Sequence, residues 1–167
     1  KRVVTLVADY GPGSDAEAAF RKTFTAGGGA VVESLRTPLQ NPDFGPFVQR
    51  VKDAKPDAVF IFVPSGEQSI AVMKAYRERG LAQAGIKAIG TGDVTDDHVL
   101  DALGEAALGM ITTGHYSAAH DSPENKAFLQ AVAEVAPRSG RPNFMAVGAY
   151  DGMAAIYELI RRSPPGP

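Results

Sequence analysis

The feature of this sequence that most constrains its fold is a repeated unit, in which an apolar strand pattern ends at Gly, Ser or Asp and a helix pattern follows at once. The three clearest units place the turns Asp9-Tyr10-Gly11, Pro64-Ser65-Gly66 and Gly90-Thr91-Gly92-Asp93 directly after apolar runs. This alternation is typical of a parallel sheet, whose carboxyl-terminal strand ends converge on one crevice. We therefore expect the three turns to face a common ligand.

Composition and charge exclude several other classes of protein. Of the 167 residues, 44% are hydrophobic, and the formal net charge is −2 with dispersed Lys and Arg, so no electrostatic footprint for nucleic acid is present. The absence of Cys excludes a disulfide framework and a thiol nucleophile. No apolar stretch has the length of a membrane span, and the first residues enter a strand pattern directly. We expect a mature protein or an excised piece, without a signal peptide.

Hydrophobic periodicity predicts five strands, at residues 3–8, 30–35, 58–63, 84–89 and 109–113. The first helix is predicted to start from an N-cap at Ser14-Asp15 and to end at Gly27-Gly28-Gly29. The expected fold class is α/β, a doubly wound, mostly parallel sheet of about five strands with helices on both faces.

The alternation of strand and helix breaks after the fifth predicted strand. Ser122-Pro123 has the pattern of an N-cap followed by Pro at the first helical position, and residues 143–162 form another helical run. We expect a ligand-binding lobe at residues 1–117, two further helices at 118–162 and a Pro-rich tail at 163–167.

One enzyme hypothesis comes from the run from Gly11 to Ala16, which has the spacing of a dinucleotide-binding turn, with Glu33 near the end of the second strand as a ribose-binding acid. Against it, Asp9 and Tyr10 intervene before the first Gly, and the Tyr ring would crowd a pyrophosphate.

Other candidate residues favour binding over catalysis. Ser65 lies at a sharp strand-to-helix turn but lacks the first Gly of a nucleophile elbow. The three His residues have no recognised metal spacing, so no metal or cofactor is expected. Asp93 directly follows the fourth strand and is predicted to face the crevice. Tyr10 and Tyr116 lie at strand ends, where an aromatic ring with a hydroxyl suits a small ligand. For Tyr116, closing the top of the core is an equal alternative.

Several phrases together resemble the leucine/isoleucine/valine-binding family of periplasmic solute receptors of ABC importers. They are the run 3–13, Asp43-Phe44, the run 54–59, Gly90-Thr91-Gly92-Asp93, the run 125–128 and Ala149-Tyr150-Asp151. The match covers nearly the whole chain and begins at what would be the first strand of the second lobe. The chain thus resembles only the C-terminal part of a two-lobed receptor, and the family's Ser/Thr-rich site for a ligand carboxylate is absent from it.

The resemblance implies a ligand site and a mode of action. Tyr10 matches an aromatic that lines the ligand, Ser65 with Gly66 matches the next binding turn, and Asp93 matches the acid that pairs with a ligand ammonium. Because Pro64-Ser65 replaces a larger aromatic of some branched-chain amino-acid binders, an aromatic or other small acid is an alternative ligand to an amino acid.

The implied function is binding of a small solute by cleft closure in the periplasm, without turnover and with an ABC permease in the membrane as partner. Two alternatives stay open, a dinucleotide-using enzyme domain and a cytoplasmic ligand-sensing regulator with the same lobes. The helices around Phe128 and at 149–160 would pack on the first lobe in the family. We therefore expect this chain to expose an apolar helix face or to hide it by self-association.

Overall fold

The computed structural model describes residues 1–163 and contains a five-stranded parallel sheet with the strand order β2-β1-β3-β4-β5. The strands are β1 (Arg2–Ala8), β2 (Ala30–Thr37), β3 (Ala58–Phe62), β4 (Lys87–Thr91) and β5 (Ile111–Thr113). The helices are α1 (Gly11–Ala26), α2 (Phe44–Ala54), α3 (Glu67–Glu78), α4 (Leu100–Leu103), α5 (Pro123–Val135) and α6 (Phe144–Arg162). The expected α/β fold class is confirmed. Beyond Ser163, the expected Pro-rich tail lies outside the described residues.

The interior strand β1 explains why helices cover both faces of the sheet. It pairs with β2 on one side and β3 on the other, and its residues from Val3 onward are buried. Alternate side chains of a strand point to opposite faces. Leu6 therefore joins a large core with α2 and α3, whereas Val7 joins a smaller core with Phe20 and Phe24 of α1.

Two strands differ from their predicted bounds. The fourth strand, predicted at 84–89, lies at Lys87–Thr91, because Gly85 adopts a left-handed turn conformation with φ +79° and the Ile86 N–H donates to the Leu81 carbonyl. The second strand continues beyond its predicted end at residue 35 to Thr37, since its pairing with β1 extends to Ala8↔Thr37.

The predicted start of α1 is wrong. Tyr10 is the N-cap residue, it makes no side-chain capping hydrogen bond, and the helix begins at Gly11, ahead of the expected Ser14-Asp15 cap. The reason is a close approach of helix and strand, since a Cβ atom on Gly13 would lie 2.0 Å from the Ala8 carbonyl oxygen. Only glycine allows the helix to start this close to the end of β1.

The chain divides into two compact units, Lys1–Gly114 and His115–Pro167. The second unit contains two consecutive helices, as the sequence predicts. Ser122 caps α5 by accepting a hydrogen bond from the Asn125 N–H at 3.1 Å, and Asn143 caps α6 by accepting from the Ala146 N–H at 2.9 Å. Among residues 1–163, no helix combines the length and the apolar character of a membrane span.

Helix α6 carries exposed apolar side chains. None of its residues is buried, and seven large apolar residues are 45–68% exposed. They are Met145, Tyr150, Met153, Ile156, Tyr157, Leu159 and Ile160. The expected exposure of an apolar face is confirmed for this helix but is wrong for Phe128 of α5, which is 3% exposed. The expected contact with a first lobe stays a prediction.

We expect Gly13→Ala to lower the free energy of unfolding by about 3 kcal/mol or more, because the new methyl group meets a backbone oxygen that cannot move away. Gly11→Ala is the matched control in the same helix, since no atom lies within 4 Å of its Cβ position. Urea unfolding of both variants measures the difference. Equal effects of the two substitutions would show that the close approach is not a constraint.

We expect the isolated chain to self-associate or to bind an apolar dye through α6, because large exposed apolar patches favour association. Light scattering and dye fluorescence measure this. The double variant Leu159→Gln and Ile160→Gln should reduce both signals, while exchanging exposed Lys22 in α1 for Gln should leave them unchanged. A monomer without dye binding would contradict the expectation.

Candidate ligand-binding site

The structure brings three of the turns singled out from the sequence to one edge of the sheet. Tyr10 follows β1, Ser65 and Gly66 follow β3, and Asp93 follows β4. These three strands are adjacent and parallel, so their carboxyl ends emerge on the same side. All four residues are half-buried, which leaves them accessible to a ligand while the fold holds them.

Tyr10 and Asp93 are close enough to influence each other electrostatically. Burial raises the pKa of the Tyr10 hydroxyl, and the negative charge of Asp93 raises it further. Tyr10 therefore stays protonated at neutral pH and can donate a hydrogen bond. Its ring centroid lies 6.3 Å from that of Phe62, and the Thr91 hydroxyl donates to Asp93 Oδ2 at 2.8 Å. The Tyr10 ring therefore packs near Phe62, and the Asp93 carboxylate is oriented by its hydrogen bond with Thr91.

The turn after β3 depends on glycine. Gly66 has φ +106°, a conformation that side chains rarely adopt. The Ser69 hydroxyl accepts from the Gly66 N–H at 3.1 Å and donates to the Gly66 carbonyl at 2.8 Å, which fixes the start of α3. Next to it, the Ser65 hydroxyl donates to Asp96 Oδ2 over a long 3.5 Å, and Asp96 is 6% exposed.

Tyr116 lies in the second compact unit. Its hydroxyl donates to Asn125 Oδ1 at 3.0 Å, and its ring meets Phe128 edge-on at 6.0 Å. The Asn125 amide donates in turn to the carbonyls of Ala118 and His120. Tyr116 therefore orders the segment that leads into α5, and its part in a ligand site stays a prediction.

The features that suggested a dinucleotide site have other roles. Because β2 continues to Thr37, Glu33 lies in the middle of the strand and not at its end, where a ribose-binding acid belongs. Its carboxylate forms an ion pair with Arg50 of α2. Gly13 has no side chain and so allows α1 to pack directly against the end of β1.

Sequence reasoning missed a buried carboxylate, Glu17, and its arginine partner near the first turn. Glu17 in α1 is 5% exposed, and its carboxylate accepts from the Thr5 hydroxyl at 2.5 Å and from Arg36 Nη2 at 2.6 Å. A signal was present, since Glu17 shares the buried stripe of α1 with Phe20 and Phe24 at spacings of three and seven residues. An acid at such a position needs a partner inside the fold.

The pKa of Glu17 shows how strongly its surroundings favour the ionised form. Burial by itself raises the pKa. The hydrogen bonds from Thr5 and Ser34, together with the charges of Arg36 and Arg21, outweigh burial and hold the pKa below its ordinary value of 4.5.

Comparison with known proteins places this architecture in a family. The family model described as "Periplasmic binding protein" matches residues 1–167. A Leu/Ile/Val-binding protein homolog 6 from Brucella melitensis is 48% identical over 160 residues, which are 96% of this chain and 41% of the relative. The chain therefore belongs to the periplasmic binding protein family, and the resemblance to the leucine/isoleucine/valine-binding receptors is confirmed. It spans about two fifths of the length of the curated relatives it matches.

Solved structures support the same assignment. The solute-binding protein of an ABC transporter from Rhodopseudomonas palustris BisB5, in complex with 3,4-dihydroxybenzoic acid, is 55% identical with a TM-score of 0.86, over 95% of this chain and 43% of that chain. A solute-binding protein from R. palustris in complex with 4-hydroxybenzoate is 47% identical with a TM-score of 0.90, over 96% of this chain and 44% of that chain.

We expect Glu17→Gln to destabilise the fold more at neutral pH than in acid. Because the folded-state pKa of Glu17 lies below its ordinary 4.5, the ionised carboxylate stabilises the fold above about pH 4.5, and this stabilisation is lost as pH falls through the folded pKa. Urea unfolding from about pH 7 down to about pH 3 should show the difference from wild type shrinking. The more exposed Glu33→Gln is the control. A difference that does not change with pH would contradict this account.

Proposed function

We propose that this chain forms the C-terminal part of the ligand-binding receptor of an ABC importer, and that it binds its solute without transforming it. The observation that carries the proposal is the meeting of Tyr10, Ser65, Gly66 and Asp93 at the carboxyl ends of three adjacent strands. Ligands of open α/β sheets bind at this edge. The solute-binding relatives described above support the same reading.

In this proposal the turns of the chain supply one wall of a cleft, and the part of the receptor outside the chain supplies the other. A one-sided site leaves its polar groups in water, so binding becomes strong only when the two walls close. Closure would then be the signal that a membrane permease recognises. The proposed location is the periplasm, and a signal peptide in the parent gene would distinguish this from a cytoplasmic regulator.

The hydrogen-bonding character of the wall indicates which end of the ligand it meets. The turns at residues 9–13, 63–66 and 92–97 contain four Asp residues but no Lys or Arg. Asp96 and Asp97 are buried and Asp9 lies 3.8 Å from Arg36 of β2, so the half-buried Asp93 is the carboxylate offered to a ligand. The hydroxyl protons of Thr91 and Ser65 are directed to carboxylates of the wall, so these groups offer mainly acceptors to a ligand. A ligand carboxylate would be repelled here, whereas a donor such as a phenol or an ammonium would be bound.

We propose a small aromatic acid with a hydroxyl group opposite its carboxylate as the ligand class. Its hydroxyl would donate to Asp93, its ring would lie against Tyr10, and its carboxylate would point to the other wall. The two R. palustris relatives hold ligands of this kind. An amino acid, with its ammonium on Asp93, is the second candidate, since it also presents a donor.

Titration of the full-length receptor tests the proposal. We expect 4-hydroxybenzoate and 3,4-dihydroxybenzoate to raise the thermal unfolding midpoint, with benzoate weaker and NAD without effect. Asp93→Asn should weaken 4-hydroxybenzoate binding about tenfold or more in calorimetry, because a hydrogen bond to a charged acceptor is lost, while benzoate affinity should change little.

Asp15→Asn is the matched control, because Asp15 lies on the exposed surface of α1 and should not alter affinity. Binding of leucine alone, abolished by Asp93→Asn, would select the amino-acid candidate. Absence of binding for every solute tested, or an Asp93→Asn variant equal to wild type, would contradict the proposed ligand site.

A further inference from the structure

The guanidinium group of Arg36 connects the ligand-site edge to the interior of the first unit. Arg36 lies in β2, outside the three turns, and donates from Nη2 to Glu17 at 2.6 Å. Its Nη1 donates to Ser14 Oγ at 2.8 Å and lies 3.8 Å from Asp9 Oδ1. One side chain thus contacts a buried acid and two residues of the first turn region.

The buried end of this connection is fixed. Both carboxylate oxygens of Glu17 are occupied, one by the Thr5 hydroxyl and the other by Arg36, and Thr5 is fully buried in β1. A carboxylate held in this way has little freedom to rotate, and the planar guanidinium fork has a fixed geometry of donors. Arg36 is therefore attached to β1 through Glu17 and Thr5.

The two turn contacts of Arg36 lie on either side of Tyr10 in the sequence. Asp9 precedes Tyr10, and Ser14 is in the first part of α1, where its N–H donates to the Tyr10 carbonyl at 3.0 Å. Tyr10 occupies the N-cap position but makes no side-chain capping bond of its own. Arg36 thus contacts the residues on both sides of Tyr10, by a hydrogen bond to Ser14 and a 3.8 Å ion pair with the exposed Asp9.

We propose that Arg36, anchored on Glu17, is a positioning residue that pre-orients Tyr10 for the ligand. This inference rests on the proposed function and deepens it, because it assigns to a residue outside the cleft a role in setting the receptor's affinity for its ligand. Without the guanidinium, the turn at residues 9–14 samples more conformations. Ordering this turn when the ligand binds then costs conformational entropy, which weakens the affinity. Arg36 itself need not touch the ligand.

A double-mutant cycle on the full-length receptor tests this inference, with 4-hydroxybenzoate as the probe and Kd measured by calorimetry well below the unfolding midpoint. We expect Arg36→Met to weaken binding about tenfold when Tyr10 is present and less than about twofold in a Tyr10→Ala background. This dependence on Tyr10 is a readout that a purely structural role would not produce.

Arg50→Met is the matched control. Arg50 also bridges a helix and β2 by an ion pair, with Glu33, but it has no contact in the first turn. Arg36→Lys is the second variant, because a lysine keeps the charge beside Glu17 and loses the fork that reaches Ser14 and Asp9. We expect it to retain stability closer to wild type while binding as weakly as Arg36→Met.

The outcomes separate the two proposals. A wild-type receptor that binds none of the tested acids would overturn the proposed function. A wild-type receptor that binds, with Arg36→Met equally harmful in both backgrounds, harmless, or matched by Arg50→Met, would overturn the positioning role alone.

Discussion

The parallel pairing of β1 with β3 and of β3 with β4 is the constraint on which the candidate site depends. The backbone hydrogen bonds match Val7 with Phe62 and Ile61 with Gly90, so the three strands end at nearly the same height. A slip by one residue would exchange the side chains that face the two cores, such as Leu6 and Val7 of β1, and the packing of both cores opposes such a slip. The packing of the two cores therefore brings together the turns that follow the strands.

The first of these turns shows how tightly sequence and packing are linked. Gly13 allows α1 to start directly against the Ala8 carbonyl, and this brings Tyr10 to the N-cap position at the sheet edge. The helix gains no side-chain cap there, and Arg36 contacts Ser14 and Asp9 on either side of Tyr10.

The electrostatic character of the edge agrees with a wall that binds one end of a solute. Burial and the charge of Asp93 together raise the pKa of the Tyr10 hydroxyl, and the Thr91 hydroxyl donates to Asp93. Groups that are already oriented lose little freedom when a ligand arrives, and this favours binding at the edge. The chain covers about two fifths of the length of the curated relatives, which agrees with a cleft whose opposite wall lies outside the chain.

The sequence by itself determined the α/β class, the positions of the strand-ending turns and the cap of α5. Each of these follows from local periodicity or from a capping residue next to the helix it caps, and such signals are complete within a few residues of chain. Tyr10, Ser65, Gly66 and Asp93 were found in this way, because they are the residues that stop apolar strands.

Only the tertiary structure decided the start of α1, the end of β2 and the partnership of Glu17 with Arg36. The start of α1 depends on the space left beside Ala8, and the end of β2 depends on pairing with another strand. Glu17 and Arg36 are 19 residues apart and lie on different elements. Hydrophobic periodicity describes which face of an element is buried, but the partner of a buried charge is set by how separate elements pack.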